Sequence, residues 1–519
     1  MEYITRRMQT FRSGKTMIDQ FYIDDDYNVP DAKSDVKEII MSEGTLNIED
    51  MKVVENYVRA AGKLNFKVLY ITEDGSGRLA SLEGRIPFEE MIYLEQEPQG
   101  NLIIKAKEAD LTVTAIHSRK LNIKTLAEIT LACEGMQESE ITMDIDSDIP
   151  IYKKIEEKEL LKVYWSGKDT YRIKEEIVLN GTKENIGNML WTNVDSRKMD
   201  TRLKEDELQI QGELMVFCLY ETLDGKTDWI SQNVPYEGRI ACSGAQESMY
   251  HHMNSELTDV NIETRMDENG EMRLIGVEAT LEIRMVIYEE EKLNILSDLY
   301  SLERVCVPTA SELLLEQLLM QNHSKCRVTE QLSLPEIKDS ILQICQSSAR
   351  IQLERTTPTD GGIQIEGVLH LSFLYIKADD MAPFDTWQGM VPFSYLMESN
   401  ETTEDMVCDL TYAVEQLSIG LLGSEEVEVK AVLAFHSFIR RPVTITNIES
   451  VDFEAVNMEE VEKRPGITGY IVREGDVLWD LAKRYSTTVE GIMEINHLEK
   501  EEIKSGDKIL IFKENMSIL

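Results

Sequence analysis

The sequence lacks the features of an exported or membrane-spanning protein. No apolar run approaches the roughly 20 residues that cross a bilayer, and the N-terminal residues mix charges with apolar residues instead of forming a signal-peptide core. The seven cysteines are odd in number and scattered, and no C-x-x-C motif occurs. This pattern fits neither a disulfide framework nor a zinc site, and it indicates a reducing compartment. We therefore expect a cytoplasmic protein without a transmembrane segment.

The sequence is also poor in basic residues relative to acidic ones. It has 54 Lys and Arg against 95 Asp and Glu, a net charge of −41, while 42% hydrophobic residues is an ordinary share for a folded protein. A nucleic-acid-binding protein needs a basic face, so we expect no nucleic-acid partner. The same charge opposes direct docking onto anionic lipid, so any peripheral position at a membrane would depend on protein partners.

Motifs for catalysis, nucleotide binding and metal binding are absent as well. No G-x-S-x-G, P-loop or dinucleotide fingerprint occurs. His251 and His252 are the only adjacent histidines, no acid or Cys stands at ligand spacing beside them, and we expect them in a solvated loop. A Cys–His pair that meets only in the fold is left open, but Cys218 lies in an apolar strand pattern and is expected in the core. The sequence therefore predicts no enzyme, no cofactor and no metal site.

What the sequence does contain is one pattern three times over. A glycine is followed by apolar residues at every second position and then by a tyrosine, which is typical of a strand with one buried face. The copies begin at Gly62, Gly212 and Gly367 and reach Tyr70, Tyr220 and Tyr375, each followed four residues later by Asp74, Asp224 or Asp379. We expect these aspartates to stabilise turns.

Two further blocks recur. An apolar-Pro-aromatic triplet follows each copy, and its proline (Pro87, Pro235, Pro392) suits an edge strand. Residues 108–113 align with 278–283 and, less closely, with 430–435, and the letters KLNI at 120–123 recur at 292–295. Copies about 150 residues apart indicate tandem domains. The fold class is mainly β with some α: three tandem antiparallel domains, each a sandwich or a partly open barrel, and a small terminal domain.

The element and domain boundaries follow from these patterns. Residues 10–21 and 311–319 could be helical, linkers are expected near 134–153, 305–323 and 457–467, and the last linker is expected to be mobile. The predicted division is an N-terminal segment 1–29, repeats at 30–150, 165–305 and 323–456, a linker 457–467 and a terminal domain 468–514.

The terminal domain has the order strand, helix, helix, strand. Tyr470–Val472 and Lys508–Phe512 are β-prone, and two helical patterns lie between them. Asp476 can accept the free N–H groups at the start of the first helix, and Asn496 can end the second helix in the left-handed conformation.

These residues resemble a LysM module. The matches include Gly475, Asp476, Leu478, Trp479 and Asn496, whereas Val477 stands where Thr is usual and Phe512 where Pro often stands. The resemblance implies binding of N-acetylglucosamine polymers in a groove beside the turn. Val477 removes a hydroxyl from that turn and so favours a protein ligand. The implied groove residues, for a partner or a glycan, are Arg473, Gly475, Asp476, Val477, Leu478, Trp479 and Asn496, whereas Leu481 and Tyr485 are expected to hold the fold.

The three repeats resemble the SPOCS domain of endospore-forming bacteria. Three such units before one LysM module resemble the SipL-like spore coat morphogenetic proteins. This resemblance implies a non-enzymatic scaffold in the mother-cell cytoplasm at the forespore surface, tethering the coat. The LysM module would bind the coat-basement ATPase, stage IV sporulation protein A, and the SPOCS units would supply length and further docking surfaces. The alternative is a protein that binds peptidoglycan of the cortex or wall.

Overall fold

The computed structural model describes residues 1–14, 16–94, 100–337, 341–399, 402–403, 405–423, 425–457 and 465–513. Within these ranges the chain forms long antiparallel strands, a 3₁₀ turn at Pro335–Ile337 and two short helices near its C-terminal end. The prediction of a mainly β protein with a small βααβ domain is confirmed.

The first unit consists of two antiparallel sheets. In one sheet a long central strand pairs with two successive strands along one edge and with a third strand along the other. Its strands are β1 (Glu2–Ser13), β2 (Met17–Asn28), β6 (Asn101–His117) and the central β7 (Lys120–Asp146). The second sheet has the order β3–β4–β5, with β3 at Val36–Val54, β4 at Tyr57–Thr72 and β5 at Leu79–Tyr93.

The second and third units repeat this plan with three strands in each sheet. The second unit has sheets β8–β13–β12 and β9–β10–β11, and the third has β14–β19–β18 and β15–β16–β17. The strands of the second unit are β8 (Tyr152–Val178), β9 (Ile186–Lys204), β10 (Glu207–Thr222), β11 (Thr227–Ala241), β12 (Tyr250–Met266) and β13 (Met272–Tyr300). Those of the third are β14 (Arg304–Ser333), β15 (Ile341–Thr359), β16 (Gly362–Lys377), β17 (Phe384–Glu398), β18 (Val407–Leu421) and β19 (Glu426–Ala455).

The repeated strand is the centre of the second sheet in each unit. Tyr70, Tyr220 and Tyr375 are at most 1% exposed, and their side chains lie in the core between or beside the two sheets of their own unit. The triplet prolines lie in the edge strands β5, β11 and β17, as predicted, where only one side of the strand carries ladder hydrogen bonds. Cys218 is fully buried as predicted, and burial raises the pKa of its thiol to about 12.

The predicted turn role of the repeat aspartates holds for two of them. A carboxylate oxygen of Asp74 accepts the backbone N–H of Ser76 at 2.9 Å, and one of Asp379 accepts the backbone N–H of Met381 at 2.9 Å. Each bond links an aspartate to the residue two positions on, the geometry of an Asx turn.

The opposite face of each central strand is also buried, but against the other units. The side chains on this face near the repeat tyrosines are at most 1% exposed and belong to a single apolar cluster. They include Leu69, Phe217 and Leu374. Ile40, Trp191 and Cys345, from β3, β9 and β15, also belong to it. We call this cluster the first shared core. Because equivalent strands of all three units contribute to it, the units surround a common centre.

A second contact joins the units through their longest strands. The ends of β7, β13 and β19 pair with β1, β8 and β14 as three two-stranded ribbons. Two apolar clusters contain side chains from every ribbon, among them Ile145, Leu299 and Val451, each at most 4% exposed. We call these clusters the ribbon core. The three repeats therefore bury part of their apolar surface against one another.

Several local predictions are also wrong. Residues 10–13 lie in β1 and residues 17–21 lie in β2 instead of a helix, and both strands pair with β7. Residues 311–319 lie within β14, where Leu315 is buried and Leu314 is 51% exposed, a period-two pattern that pairing with β19 imposes over helix propensity. The expected linkers at 134–153 and 305–323 lie largely within β7, β8 and β14.

The alignment of the second block fails for the first copy. The letters KLNI begin β7 at residues 120–123 but lie near the end of β13 at 292–295. Residues 108–113 lie in β6, whereas 278–283 and 430–435 lie in the long central strands β13 and β19. The domain boundaries stay a prediction, and most of the last predicted linker, residues 458–464, lies outside the described residues.

None of the helices in the described part of the chain is long and apolar enough to cross a membrane.

We expect Phe217→Ala to destabilise more than its own unit. Deleting a fully buried phenyl ring should lower the free energy of unfolding by about 3–5 kcal/mol. Hydrogen exchange should accelerate in β4 and β16 as well as β10, because these strands share one apolar cluster. Leu223→Ala, at a 71% exposed position, is the control and should change stability by less than about 0.5 kcal/mol. Exchange changes confined to the second unit would contradict the shared core.

Candidate functional site at the terminal module

The terminal module is a two-stranded sheet packed on two helices. Its elements are β20 (Ile467–Ile471), α1 (Leu478–Tyr485), α2 (Val489–Asn496) and β21 (Lys508–Phe512). Leu481 and Ile492 are fully buried between the helices and the sheet. Tyr485 packs edge-on against Tyr470 with ring centroids 6.0 Å apart, so Leu481 and Tyr485 hold the fold as predicted.

The turn before α1 is closed by Asp476. One carboxylate oxygen accepts the backbone N–H of Arg473 at 2.8 Å and the hydroxyl of Tyr470 at 2.8 Å, and these bonds lower the pKa of the carboxyl. Gly475 has φ +86°, a left-handed conformation that favours glycine. The predicted helix-capping role of Asp476 is wrong, because Val477 occupies the N-cap position and offers no side-chain acceptor.

Three side chains of this turn, those of Arg473, Glu474 and Val477, face solvent. Arg473 is exposed, and Val477 is 44% exposed. Leu478, which was predicted to line the groove, is 1% exposed and belongs to the module core, so its side chain cannot contact a ligand in this conformation. We call the exposed segment Arg473–Val477 the module turn.

Trp479 contacts the second unit of the same chain. Its indole N–H donates to Asp298 Oδ2 at 2.8 Å, and its ring meets Tyr300 edge-on with centroids 4.9 Å apart. Asp298 and Tyr300 lie at the end of β13, in the ribbon of the second unit. The tryptophan predicted as a partner contact is therefore engaged within the chain.

The next turn of α1 extends this contact. Lys483 Nζ donates to Asp298 Oδ1 at 2.7 Å, and the Tyr300 hydroxyl donates to the carbonyl of Thr487 at 3.0 Å. Burial raises the pKa of Asp298, but the hydrogen bonds from Lys483 and Trp479, the charge of Lys483 and the backbone N–H of Leu299 together leave that pKa below its ordinary value. Tyr300 is only 5% exposed and stacks on Tyr152 with centroids 5.0 Å apart.

The side-chain amide of Asn496 joins α2 to β21. Its nitrogen donates to the carbonyls of Ile492 and Leu510 at 2.8 and 2.7 Å, and its oxygen accepts the N–H of Leu510 at 2.7 Å. His497, not Asn496, adopts the left-handed conformation that ends α2. These bonds use both the nitrogen and the oxygen of the side-chain amide and give Asn496 a structural role, while its binding role stays a prediction.

Comparison with family models identifies the parts of the chain. The model described as "SipL, SPOCS domain" matches residues 35–116, 185–265 and 340–422, and the LysM model matches 470–512. The chain carries three SPOCS domains followed by a LysM domain. This is the SipL-like architecture that the sequence predicted, and the SipL family implies a role in sporulation. No match was found among curated proteins or among solved structures.

The SPOCS matches cover four strands of each unit, β3–β6, β9–β12 and β15–β18. The long strands that build the ribbon core lie outside the matched ranges, and so do Asp298 and Tyr300. Sequence reasoning missed both residues. The only signal was an aspartate followed two positions later by a tyrosine, after the block at 292–295, and nothing in that pattern indicated contact with the LysM domain.

Four of the seven histidines form a second cluster, at the interface of the second and third units. They are His251, His252, His323 and His436. His251 and His252 lie in β12, so the expectation of a solvated loop is wrong. The ring of His251 shares a hydrogen bond with the Thr201 hydroxyl at 2.8 Å. His323 and His436 face each other across β14 and β19 with ring centroids 4.1 Å apart.

Burial is the main cause of the lowered histidine pKa values in this cluster. It lowers the pKa of His251 and of His436 to about 4, and the other histidines contribute in the same direction. Asp200 acts in the opposite direction on both, and Glu415 does so on His436. Within the described ranges, no three His, Cys, Asp or Glu side chains are arranged to hold a metal ion.

We expect the histidine cluster to make stability depend on pH. Both pKa values fall from 6.5 to about 4 on folding, so the unfolded chain binds more protons in that window. Stability from this cluster is present above about pH 6.5 and is lost as the pH falls toward about 4. The double variant His251→Gln/His436→Gln should lose less stability than the wild type between pH 7 and pH 5, measured by the urea midpoint.

His117→Gln, at an exposed position on a different unit, serves as the control for this experiment. It should leave the wild-type pH dependence in place. Equal pH dependence in the wild type and the double variant would show that the cluster does not control acid stability.

Proposed function

We propose that this protein is a non-enzymatic scaffold of endospore envelope assembly. Two features support this proposal. Three SPOCS domains with shared buried cores precede a LysM domain, and the module turn of that LysM domain is exposed. Neither domain belongs to an enzymatic family. Three domains that share buried cores suit a tethering role, because their packing can hold the exposed module turn in a fixed position for a partner.

The partner we propose is the coat-basement ATPase, stage IV sporulation protein A, reached in the mother-cell cytoplasm at the forespore surface. Charge supports a LysM contact with a protein. Residues 466–513 carry seven basic and nine acidic residues, so almost all of the net charge of −41 lies elsewhere in the chain. The LysM domain can therefore approach a surface that the remaining chain would repel.

Val477 favours a protein ligand over a glycan. It is 44% exposed at the N-cap of α1, where a Thr hydroxyl would accept a helix N–H. An exposed apolar side chain beside Arg473 offers the mixture of apolar area and guanidinium hydrogen bonding that is enriched in protein interfaces. Glycan binding by the LysM domain is the alternative, which the family match itself favours.

We expect Val477→Asp in the full-length chain to weaken capture of the purified ATPase by at least about tenfold, a loss of about 1.4 kcal/mol. Asp is a good N-cap residue, so this change should not unfold α1. Val477→Thr is the matched variant, because it also caps the helix but adds no charge, and it should weaken capture much less. Biolayer interferometry with the immobilised ATPase measures both.

Sedimentation with insoluble peptidoglycan tests the alternative in the same set of proteins. The proposal expects little retention of the wild type. Strong retention that Val477→Thr increases, together with no capture of the ATPase, would replace the scaffold proposal with glycan binding.

A further inference from the structure

The contact between the LysM domain and the second unit covers a defined face of α1. Trp479 and Lys483 are four residues apart and therefore lie on one side of the helix. Both bind Asp298, with distances of 2.8 and 2.7 Å. Thr487, in the turn that follows, accepts the Tyr300 hydroxyl. One carboxylate and one phenol at the end of β13 thus engage successive turns of the module.

This contact combines apolar burial with hydrogen bonds to a partly buried charge. Tyr300 belongs to the apolar core of the LysM domain, with Tyr152 and Leu302 packed beside it. The side chains of Lys483 and Asp298 are 39% and 26% exposed, so water and salt can reach the ion pair. A contact of this kind holds two bodies together but remains open to competition, because its polar partners can be rehydrated.

Docking removes Trp479 from the surface that a partner could use. The module turn and Trp479 are adjacent along the chain, but the turn is largely exposed, whereas Trp479 is half-buried and its indole N–H is bonded to Asp298. A partner that needs both the turn and the indole cannot bind the docked form completely. Its apparent affinity is then reduced in proportion to the undocked fraction.

We propose that Asp298 and Tyr300 form an intramolecular latch that covers Trp479, and that release of this latch makes the full LysM recognition surface available. The proposal rests on the proposed function for the part that concerns a partner, whereas the latch itself is a property of the chain alone. Binding of a partner and docking onto β13 are competing states of α1. High salt favours release, because it screens the Lys483–Asp298 pair.

The test compares three full-length proteins: the wild type, Asp298→Ala and Asp452→Ala. Asp298→Ala removes the acceptor of both Trp479 and Lys483. Asp452 is an exposed carboxylate near the end of β19, the corresponding long strand of the third unit, and is the matched control. Hydrogen exchange of residues 478–487 reports docking, and binding to the purified sporulation ATPase and to insoluble peptidoglycan reports exposure of the recognition surface.

We expect exchange in this segment to increase about tenfold in Asp298→Ala and to remain unchanged in Asp452→Ala. Whichever probe binds the wild type should bind Asp298→Ala more tightly, by up to about tenfold if the undocked fraction rises from a tenth to nearly one. Unchanged exchange in Asp298→Ala overturns the latch. Faster exchange without tighter binding, although the wild type binds a probe, overturns its gating of Trp479.

Failure of the proposed function has a different signature. If neither probe binds any of the three proteins, the scaffold and glycan proposals fail, while faster exchange in Asp298→Ala still supports the latch.

Discussion

Burial of both faces at the end of each repeated central strand is the constraint on which the rest of the structure depends. Within β4, β10 and β16, alternate residues fill the core of their own unit, while Leu69, Phe217 and Leu374 face the other units. A single sandwich would leave these side chains in water, and burying one such side chain contributes about 1.5–3 kcal/mol. The three units therefore complete one another, and the ribbons repeat the same solution with Ile145, Leu299 and Val451.

The packing of the three ribbons also fixes the surface of the second unit that the LysM domain contacts. The ribbon of the second unit extends past its own sandwich, and its packing against the other two ribbons fixes the end of β13. Asp298 and Tyr300 stand at that fixed end and bind α1. A recognition domain held in this way has a defined orientation relative to the body. If the proposed latch exists, association with a partner depends on the balance between docking and release as well as on the module turn.

Local patterns predicted the elements that local interactions determine. The period-two strands, the edge prolines and the Asp74 turn follow from side-chain alternation and backbone hydrogen bonding, and the LysM fold follows from its motif. Local patterns did not distinguish a helix from a strand at residues 311–319. Pairing with β19, which is distant in sequence, makes this segment a strand. The shared core left a trace that period-two reasoning overlooked: each repeat tyrosine is preceded by a leucine, at Leu69, Leu219 and Leu374. The contact of Trp479 with Asp298 spans 181 residues, and no local pattern encodes it.

The central claim, that the three units surround common cores, is tested most directly by small-angle X-ray scattering of the full-length protein. We expect a scattering curve that matches the one calculated from the structure, with the pair-distance distribution of a single particle. A much larger radius of gyration, with separate maxima at the spacing of independent domains joined in a line, would contradict it.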